Sequence, residues 1–159
     1  MKLFDSHCHL DDRAFDKDLP TVLERARAAD VQRILIAGID RRTSDKAVAL
    51  ANAHAGVHAS VGVHPHDARS CSEADLRHLA SLAAQANVVA WGEIGLDFNR
   101  MYSPRQDQEH WLIRQLALAD RLNLPLIFHE RDSHGRLLEI LRAFPGRHRR
   151  AVVHCFSGT

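Results

Sequence analysis

The chain contains only three cysteines among its 159 residues, and none of them lies in a Cys-x-x-Cys spacing. An odd number of cysteines without that spacing argues against a disulfide framework and fits a reducing compartment. Cys8 and Cys155 each adjoin a histidine. Because free cysteine is among the most buried residue types, we expect both to pack as small apolar side chains rather than to bind metal.

Long apolar runs and a large net charge are also missing. No uninterrupted apolar stretch reaches the length of a membrane span, and the polar, charged N-terminal segment does not resemble a signal peptide. The formal net charge is +1, so no global charge attracts nucleic acid or an anionic membrane. We therefore expect a cytoplasmic protein without a membrane partner or an obligate protein partner. A basic cluster is more typical of a solvated face than of a nucleic-acid contact: Arg142, Arg147, His148, Arg149 and Arg150.

Hydrophobic residues make up 45% of the chain, which is enough for the core of one domain spanning residues 1–159. Short apolar, β-branched runs alternate with helical patterns from one end to the other, and this alternation indicates a parallel sheet built from βα units. Strands are predicted near residues 2–8, 33–39, 58–64, 88–94, 125–129 and 151–154.

Five helices are predicted between these strands. The clearest follows Ser103, which can cap it, with Pro104 at the first helical position and Gln106 completing a capping box. An apolar stripe at helical spacing follows and is more typical of core than of a cofactor site: Trp111, Leu112, Gln115, Leu116, Ala119 and Leu122. The other four helices are predicted to start after Asp18 or Leu19, Thr43, Ser72 and Ser133.

Histidine or glutamate follows five of the apolar runs. His7 and His9 end the first strand, where period-two alternation puts them on the same face as Asp5. The other four runs end in His64 with His66, Glu93, His129 and His154. A single His-x-His also occurs on ordinary polar strands. The whole series, however, favours a divalent-metal site of neutral imidazoles at the carboxyl ends of parallel strands.

Ligands from five different strands favour a barrel over an open sheet, because a barrel gathers the strand ends around one axis. A complete (β/α)8 barrel takes about 250 residues, so this chain provides too few strands to close one. We expect an α/β fold of the TIM-barrel type that is incomplete, with about six parallel strands and five intervening helices. It is either a fragment of a longer protein or a partial barrel whose open edge must be covered.

Five segments together carry a family resemblance: DSHCHLD at 5–11, GVHPH at 62–66, GEIGLDF at 92–98, LPLIFHERD at 124–132 and HCFSG at 154–158. In this order and spacing they resemble the TatD family of metal-dependent deoxyribonucleases, within the amidohydrolase-type TIM-barrel superfamily. The resemblance runs the length of the chain but covers only the first part of the family's usual fold.

The resemblance implies a two-metal hydrolase of phosphodiesters, acting as a 3'-to-5' exonuclease on single-stranded DNA, with RNA as the alternative substrate. It implies that His7 and His9 hold the first metal. It also implies that His129 and His154 hold the second, with Glu93 bridging the two. The family's remaining ligand, an aspartate at the end of the last strand, has no counterpart in this sequence. Mg²⁺ is the first choice by resemblance, whereas imidazole ligands equally suit Zn²⁺ or Mn²⁺.

Further site residues are expected around this centre. By resemblance His64 contacts the scissile phosphate and acts in catalysis with Glu93, although it and His66 could instead order a loop. Arg131 could clamp phosphate bidentately, or pair with Glu130 or Asp132. Two residues just past Glu93 are expected to position the loop or surround the metal ligands: Asp97 and Asn99.

Two other functions stay open. The same metal site could act on an ester or amide, as in a D-aminoacyl-tRNA deacylase, because a fold and its site do not fix the substrate. The chain could also be a truncated, non-catalytic metal-binding protein that meets a partner through the open barrel edge.

Overall fold

A computed structural model describes residues 1–144 and 150–158. Six strands form one sheet in which every neighbouring pair is parallel and the spatial order follows the sequence. The strands are β1 (Leu3–Cys8), β2 (Val31–Ala37), β3 (Val57–Val61), β4 (Val88–Asp97), β5 (Leu126–Arg131) and β6 (Ala151–His154). Of the predicted basic cluster, Arg147, His148 and Arg149 lie outside the described residues.

A helix occupies each interval between consecutive strands, as predicted. The helices are α1 (Leu19–Ala28), α2 (Arg41–Ala53), α3 (Glu73–Leu82), α4 (Arg105–Leu122) and α5 (Arg136–Ala143). Short 3-10 helices cover Arg13–Phe15 and Pro65–Ser70. The main core lies between the helices and the sheet, where side chains such as Trp91, Leu112 and Leu116 are almost fully buried.

The sheet is curled rather than flat. In a flat sheet of this order the first and sixth strands would lie about 24 Å apart, at about 4.8 Å per step. Instead, the rings of His7 on β1 and His154 on β6 stack with their centroids 3.9 Å apart. A small second cluster of buried residues packs on the inner face of the curl: Leu35, Ala90 and Ile127.

Three predicted helix starts are wrong. Helix α2 begins at Arg41, because Asp40 is its N-cap and Thr43 lies one turn inside, where the two form a capping box. Helix α5 begins at Arg136 after Gly135, later than Ser133 suggested. Helix α4 begins at Arg105 with Pro104 as its N-cap residue.

Ser103 and Gln106 therefore do not form the predicted capping box. The Ser103 hydroxyl donates instead to the His66 carbonyl oxygen at 2.7 Å and accepts from the Arg69 backbone N–H at 3.0 Å. The α3 prediction is confirmed, because Ser72 caps that helix and forms a capping box with Asp75.

Strands β4 and β5 continue past their predicted ends. The register pairs Gly95 with His129 and Asp97 with Arg131. Gly95 has a φ of +150°, and a Cβ there would collide with the His129 carbonyl oxygen, so only glycine permits this close approach. Strand β3, in contrast, ends at Val61, earlier than predicted, and leaves His64 beyond it.

Two glutamines of α4 are buried: Gln115, which lies inside the stripe that was predicted to be apolar, and Gln108, which precedes that stripe. The Gln115 side chain accepts from the Val63 N–H at 2.8 Å and donates to the Val63 carbonyl at 3.0 Å. The Gln108 side chain makes the same pair of bonds to the Asp97 backbone, at 2.8 and 3.0 Å. Helix α4 thereby fixes the chain beside His64 and at the end of β4.

The two outer strands are largely exposed. All four residues of β6 are exposed, as are the first four of β1, including Phe4. None of the helices in the described part of the chain combines the length and the apolar character needed to cross a bilayer.

Candidate metal centre

The carboxylate of Glu93 lies at the centre of a ring of imidazoles. Its Oε1 is 2.9 Å from Nδ1 of His129 and 3.7 Å from Nε2 of His64. Nε2 of His154 lies 4.0 Å from the same oxygen, whereas Oε2 is 3.2 Å from Nε2 of His7. Four segments that are far apart in sequence thus meet at one side chain that is only 2% exposed.

The histidines keep Glu93 ionised. Burial acts to raise the pKa of the Glu93 carboxyl, but the hydrogen bond from His129 and the close approach of His7 outweigh it and hold the pKa well below its usual range. Burial lowers the pKa of His64 to about 3, and burial also lowers the pKa of His154. A carboxylate surrounded by imidazoles is a donor set that binds a divalent cation when the rings are neutral.

Two groups of three residues each bring their possible ligand atoms within 4.8 Å of one another. One comprises His7, Glu93 and His154, and the other comprises His64, His66 and His129. Neither ring nitrogen of His7 hydrogen-bonds to a described residue, although both are buried. An unsatisfied buried imidazole aimed at a carboxylate costs free energy that a bound cation would recover, so the group of His7, Glu93 and His154 fits a metal ion.

His129 is held between two carboxylates. Its Nδ1 faces Glu93, whereas its Nε2 lies 3.2 Å from Oδ2 of Asp97. The same oxygen lies 2.7 Å from Nε2 of His66. Burial acts to raise the pKa of Asp97, but hydrogen bonds from the Arg100 backbone N–H and from these two rings lower it to about 2. Asp97 is therefore an anionic acceptor for Nε2–H of His129, and a neutral ring with its proton there would offer Nδ1 to a metal in place of its present contact with Glu93.

His64 faces Glu93 with Nε2, whereas His129 faces it with Nδ1. Its Nδ1 accepts the backbone N–H of His66 at 3.1 Å, so the proton of the neutral ring resides on Nε2. Nε2–H then points toward the Glu93 carboxylate as a donor. This protonation suits a contact with an anionic substrate better than a bond to a metal.

The remaining predicted residues lie near the centre but are less closely joined to it. His9 follows the end of β1, with its ring centroid 5.3 Å from that of His7 and its Nδ1 3.9 Å from Asp11. Arg131 ends β5 two residues after His129. Within the described residues its guanidinium pairs with neither of its acidic neighbours, Glu130 and Asp132. Asn99 donates to Asp132 at 2.7 Å and thereby joins the loops after β4 and β5.

Sequence reasoning missed the glutamines Gln108 and Gln115, which hold the backbone beneath the centre. The available signal was a polar residue repeated after seven positions, or about two helical turns, within an apolar stripe. Two buried amides on one helix face require partners, and here the partners are the strand-end backbones.

Known proteins are similar to nearly the whole chain. A family model described as "TatD related DNase" matches residues 4–159. The chain is 42% identical over 157 residues to the 3'-5' ssDNA/RNA exonuclease TatD of Cronobacter sakazakii, covering 99% of this chain and 60% of that protein. It is 39% identical to the uncharacterized metal-dependent hydrolase YabD of Bacillus subtilis, covering 62% of that protein.

Solved structures agree with the fold. The crystal structure of YJJV, a TatD homolog from Escherichia coli K12, superposes with a TM-score of 0.88 at 35% identity, covering 99% of this chain and 61% of that one. The prediction of an incomplete TIM-type barrel is thereby confirmed. The chain spans about 60% of the length of the curated relatives that it matches. On the match of residues 4–159 and these identities, the chain belongs to the TatD-related DNase family.

Proposed function

We propose that this chain forms the metal-binding part of a divalent-metal-dependent hydrolase that cleaves phosphodiester bonds of single-stranded DNA or RNA from the 3' end. The observation that carries the proposal is the buried Glu93 carboxylate, with four imidazoles within 4.0 Å at the carboxyl ends of parallel strands. The substrate class is supported by the relative named a 3'-5' ssDNA/RNA exonuclease.

The proposed ligands follow the two oxygens of Glu93. Oε2 faces His7 and Oε1 faces His129, so one carboxylate can bridge two cations. By resemblance to the TatD family, His7 and His9 would hold the first cation and His129 and His154 the second, although His154 lies nearer to His7 than to His129 here. His9 would turn from Asp11 toward His7 to do so, which its 44% exposed side chain permits. Mg²⁺, Mn²⁺ and Zn²⁺ are the candidate ions, with Mg²⁺ first.

The chemistry of such a centre is an activated water and charge stabilisation on the attacking and leaving oxygens, which a pair of divalent cations supplies when bound. The chain's own residues orient the substrate. His64 donates its Nε2–H to a phosphate oxygen, and Arg131, on the strand that holds His129, grips the phosphate through its guanidinium.

The test begins with native mass spectrometry of the chain together with its metal content. In the Glu93→Gln variant we expect the bound divalent ions to be lost, because an amide cannot bridge two cations. Glu130→Gln is the matched control, since Glu130 is a buried carboxylate of β5 whose partners are Ser133 and Ser157. It should keep its metal.

Activity is then measured on a 5'-labelled single-stranded oligonucleotide with each metal. The wild-type chain should shorten the labelled strand from its 3' end, and Glu93→Gln should abolish this. Unchanged metal content and unchanged cleavage in Glu93→Gln would contradict the proposal. Turnover of an aminoacyl ester in place of the oligonucleotide would favour the ester hydrolase instead. Metal binding without any turnover would favour a non-catalytic chain.

A further inference from the structure

An exposed aromatic ring stands beside the metal centre. Tyr102, the only tyrosine of the chain, lies in the loop of residues 98–104 that joins β4 to α4. Its side chain is 55% exposed. The ring meets that of His66 in a T-shaped contact with the centroids 4.8 Å apart, and such a contact covers at most one face of the tyrosine. A broad aromatic face therefore remains open to solvent next to the site.

The loop that presents this ring is held firmly at both ends. At its start, Oδ1 of Asp97 accepts the backbone N–H groups of Asn99 at 3.0 Å and Arg100 at 2.8 Å. At its end, the buried Ser103 hydroxyl donates to the His66 carbonyl oxygen at 2.7 Å. The ring is thus presented in a fixed place, so a ligand would bind it without a large cost of ordering the loop.

The charge of the loop suits an anionic strand. Residues 98–105 include Arg100 and Arg105 and no acidic residue. The Arg105 guanidinium lies 4.3 Å from the centroid of the Phe98 ring, which holds that cation over the loop. Basic groups that follow the backbone, together with an exposed aromatic ring for a base, are how proteins bind single-stranded nucleic acid without reading its sequence.

A chain of side-chain contacts connects the Tyr102 ring to Glu93. Tyr102 contacts His66, His66 hydrogen-bonds to Asp97, and Asp97 hydrogen-bonds to His129, which contacts Glu93. We propose that Tyr102 is a stacking platform for one unpaired nucleobase of the strand whose phosphodiester lies at Glu93. This inference rests on the proposed function for its substrate class, and it adds a base subsite to it.

Two binding measurements test the platform without requiring turnover. A fluorescein-labelled oligothymidylate of about eight nucleotides is titrated with the chain in chelator, and its anisotropy gives Kd. Tyr102→Ala should raise Kd at least about fivefold, whereas Tyr102→Phe should retain affinity because the stacking face is kept. Ile113→Ala, at a 45% exposed position on α4, is the control and should leave Kd unchanged.

An abasic strand of the same length separates stacking from charge. Its binding should be the same for wild type and Tyr102→Ala, since it has no base to stack. Because the chain has one tyrosine, ring-labelled tyrosine gives a single site in NMR, and its signals should shift upfield with oligothymidylate but not with the abasic strand.

Each outcome is decisive and distinct from the nuclease test. The platform would be overturned if oligothymidylate does not bind, or if its Kd is equal for Tyr102→Ala and wild type. It would also be overturned if Tyr102→Ala weakens binding of the abasic strand as much as binding of oligothymidylate. Cleavage that depends on Glu93 but not on Tyr102 would support the proposed function and refute the role of Tyr102. Base-dependent binding through Tyr102 with no cleavage would refute the nuclease and keep the platform.

Discussion

Replacing Gln115 with methionine tests whether α4 holds the strand end beside the metal centre. Methionine matches the length of glutamine and fills the same space, so the substitution removes hydrogen bonds with little change in packing. In the wild type, the Gln115 amide bonds to the N–H and the carbonyl of Val63 and accepts from the Trp91 indole at 3.3 Å. All three partners are buried.

The expected cost follows from those three groups. A buried donor or acceptor left without a partner costs about 1 to 3 kcal/mol, and Gln115→Met leaves three such groups. Because relaxation of the site or an entering water recovers part of the upper cost, we expect the free energy of unfolding to fall by about 3 to 6 kcal/mol. That loss is comparable with the whole stability of many domains, about 5 to 15 kcal/mol. The backbone at Val63, one residue before His64, would be the part released.

Urea denaturation followed by tryptophan fluorescence measures the change. Gln106→Met is the matched control, because Gln106 is an exposed glutamine of the same helix and the chemical change is identical. It should alter the free energy of unfolding by less than about 0.5 kcal/mol. An equal, small effect of both substitutions would refute the reasoning, since the Gln115 hydrogen bonds would then contribute nothing.

Three further outcomes are expected. Asp97→Asn should weaken metal binding by at least about tenfold in calorimetry, because a neutral amide holds the His129 tautomer less firmly; unchanged affinity would contradict this. In metal-free buffer, ionised Asp97 should stabilise the fold fully above the ordinary aspartate pKa of 3.8, and this stabilisation should disappear as the pH falls through about 2. Over that range the free energy of unfolding should fall by about 2 kcal/mol more in wild type than in Asp97→Asn. Urea titrations at stepped pH measure the difference. Iodoacetamide at pH 8 should alkylate the exposed Cys155 first by mass spectrometry, since burial raises the pKa of Cys8 and Cys71 to about 12; faster labelling of either would contradict the burial.

The order of strands and helices could be predicted from the sequence because it depends on local periodicity. Every predicted strand and helix is present, but boundaries moved where a side chain has a tertiary partner. Ser103 illustrates this: as a local signal it suits a helix cap, yet its hydroxyl bonds to His66, 37 residues earlier. Strand β4 extends to Asp97 because β5 pairs with it, and no local signal at Glu93 indicates that continuation.

The candidate centre, too, was predictable only in part. Residue type and position at strand ends were sufficient to select Glu93, His7, His129 and His154, because few other side chains bind a divalent cation. The distances between those side chains were not available, since they depend on how strongly the sheet curls. That curl stacks the ring of His7, from β1, on the ring of His154, from β6.

By itself, then, the sequence determined the class of fold and the strand ends that carry the candidate metal ligands, because these follow from periodicity and from residue type. Only the tertiary structure decided which nitrogen of each imidazole faces which carboxylate, that Asp97 links His66 to His129, and that Tyr102 stands exposed beside them. Those features are distances between segments far apart in the chain, and they are fixed by strand pairing and by buried hydrogen bonds rather than by any local pattern.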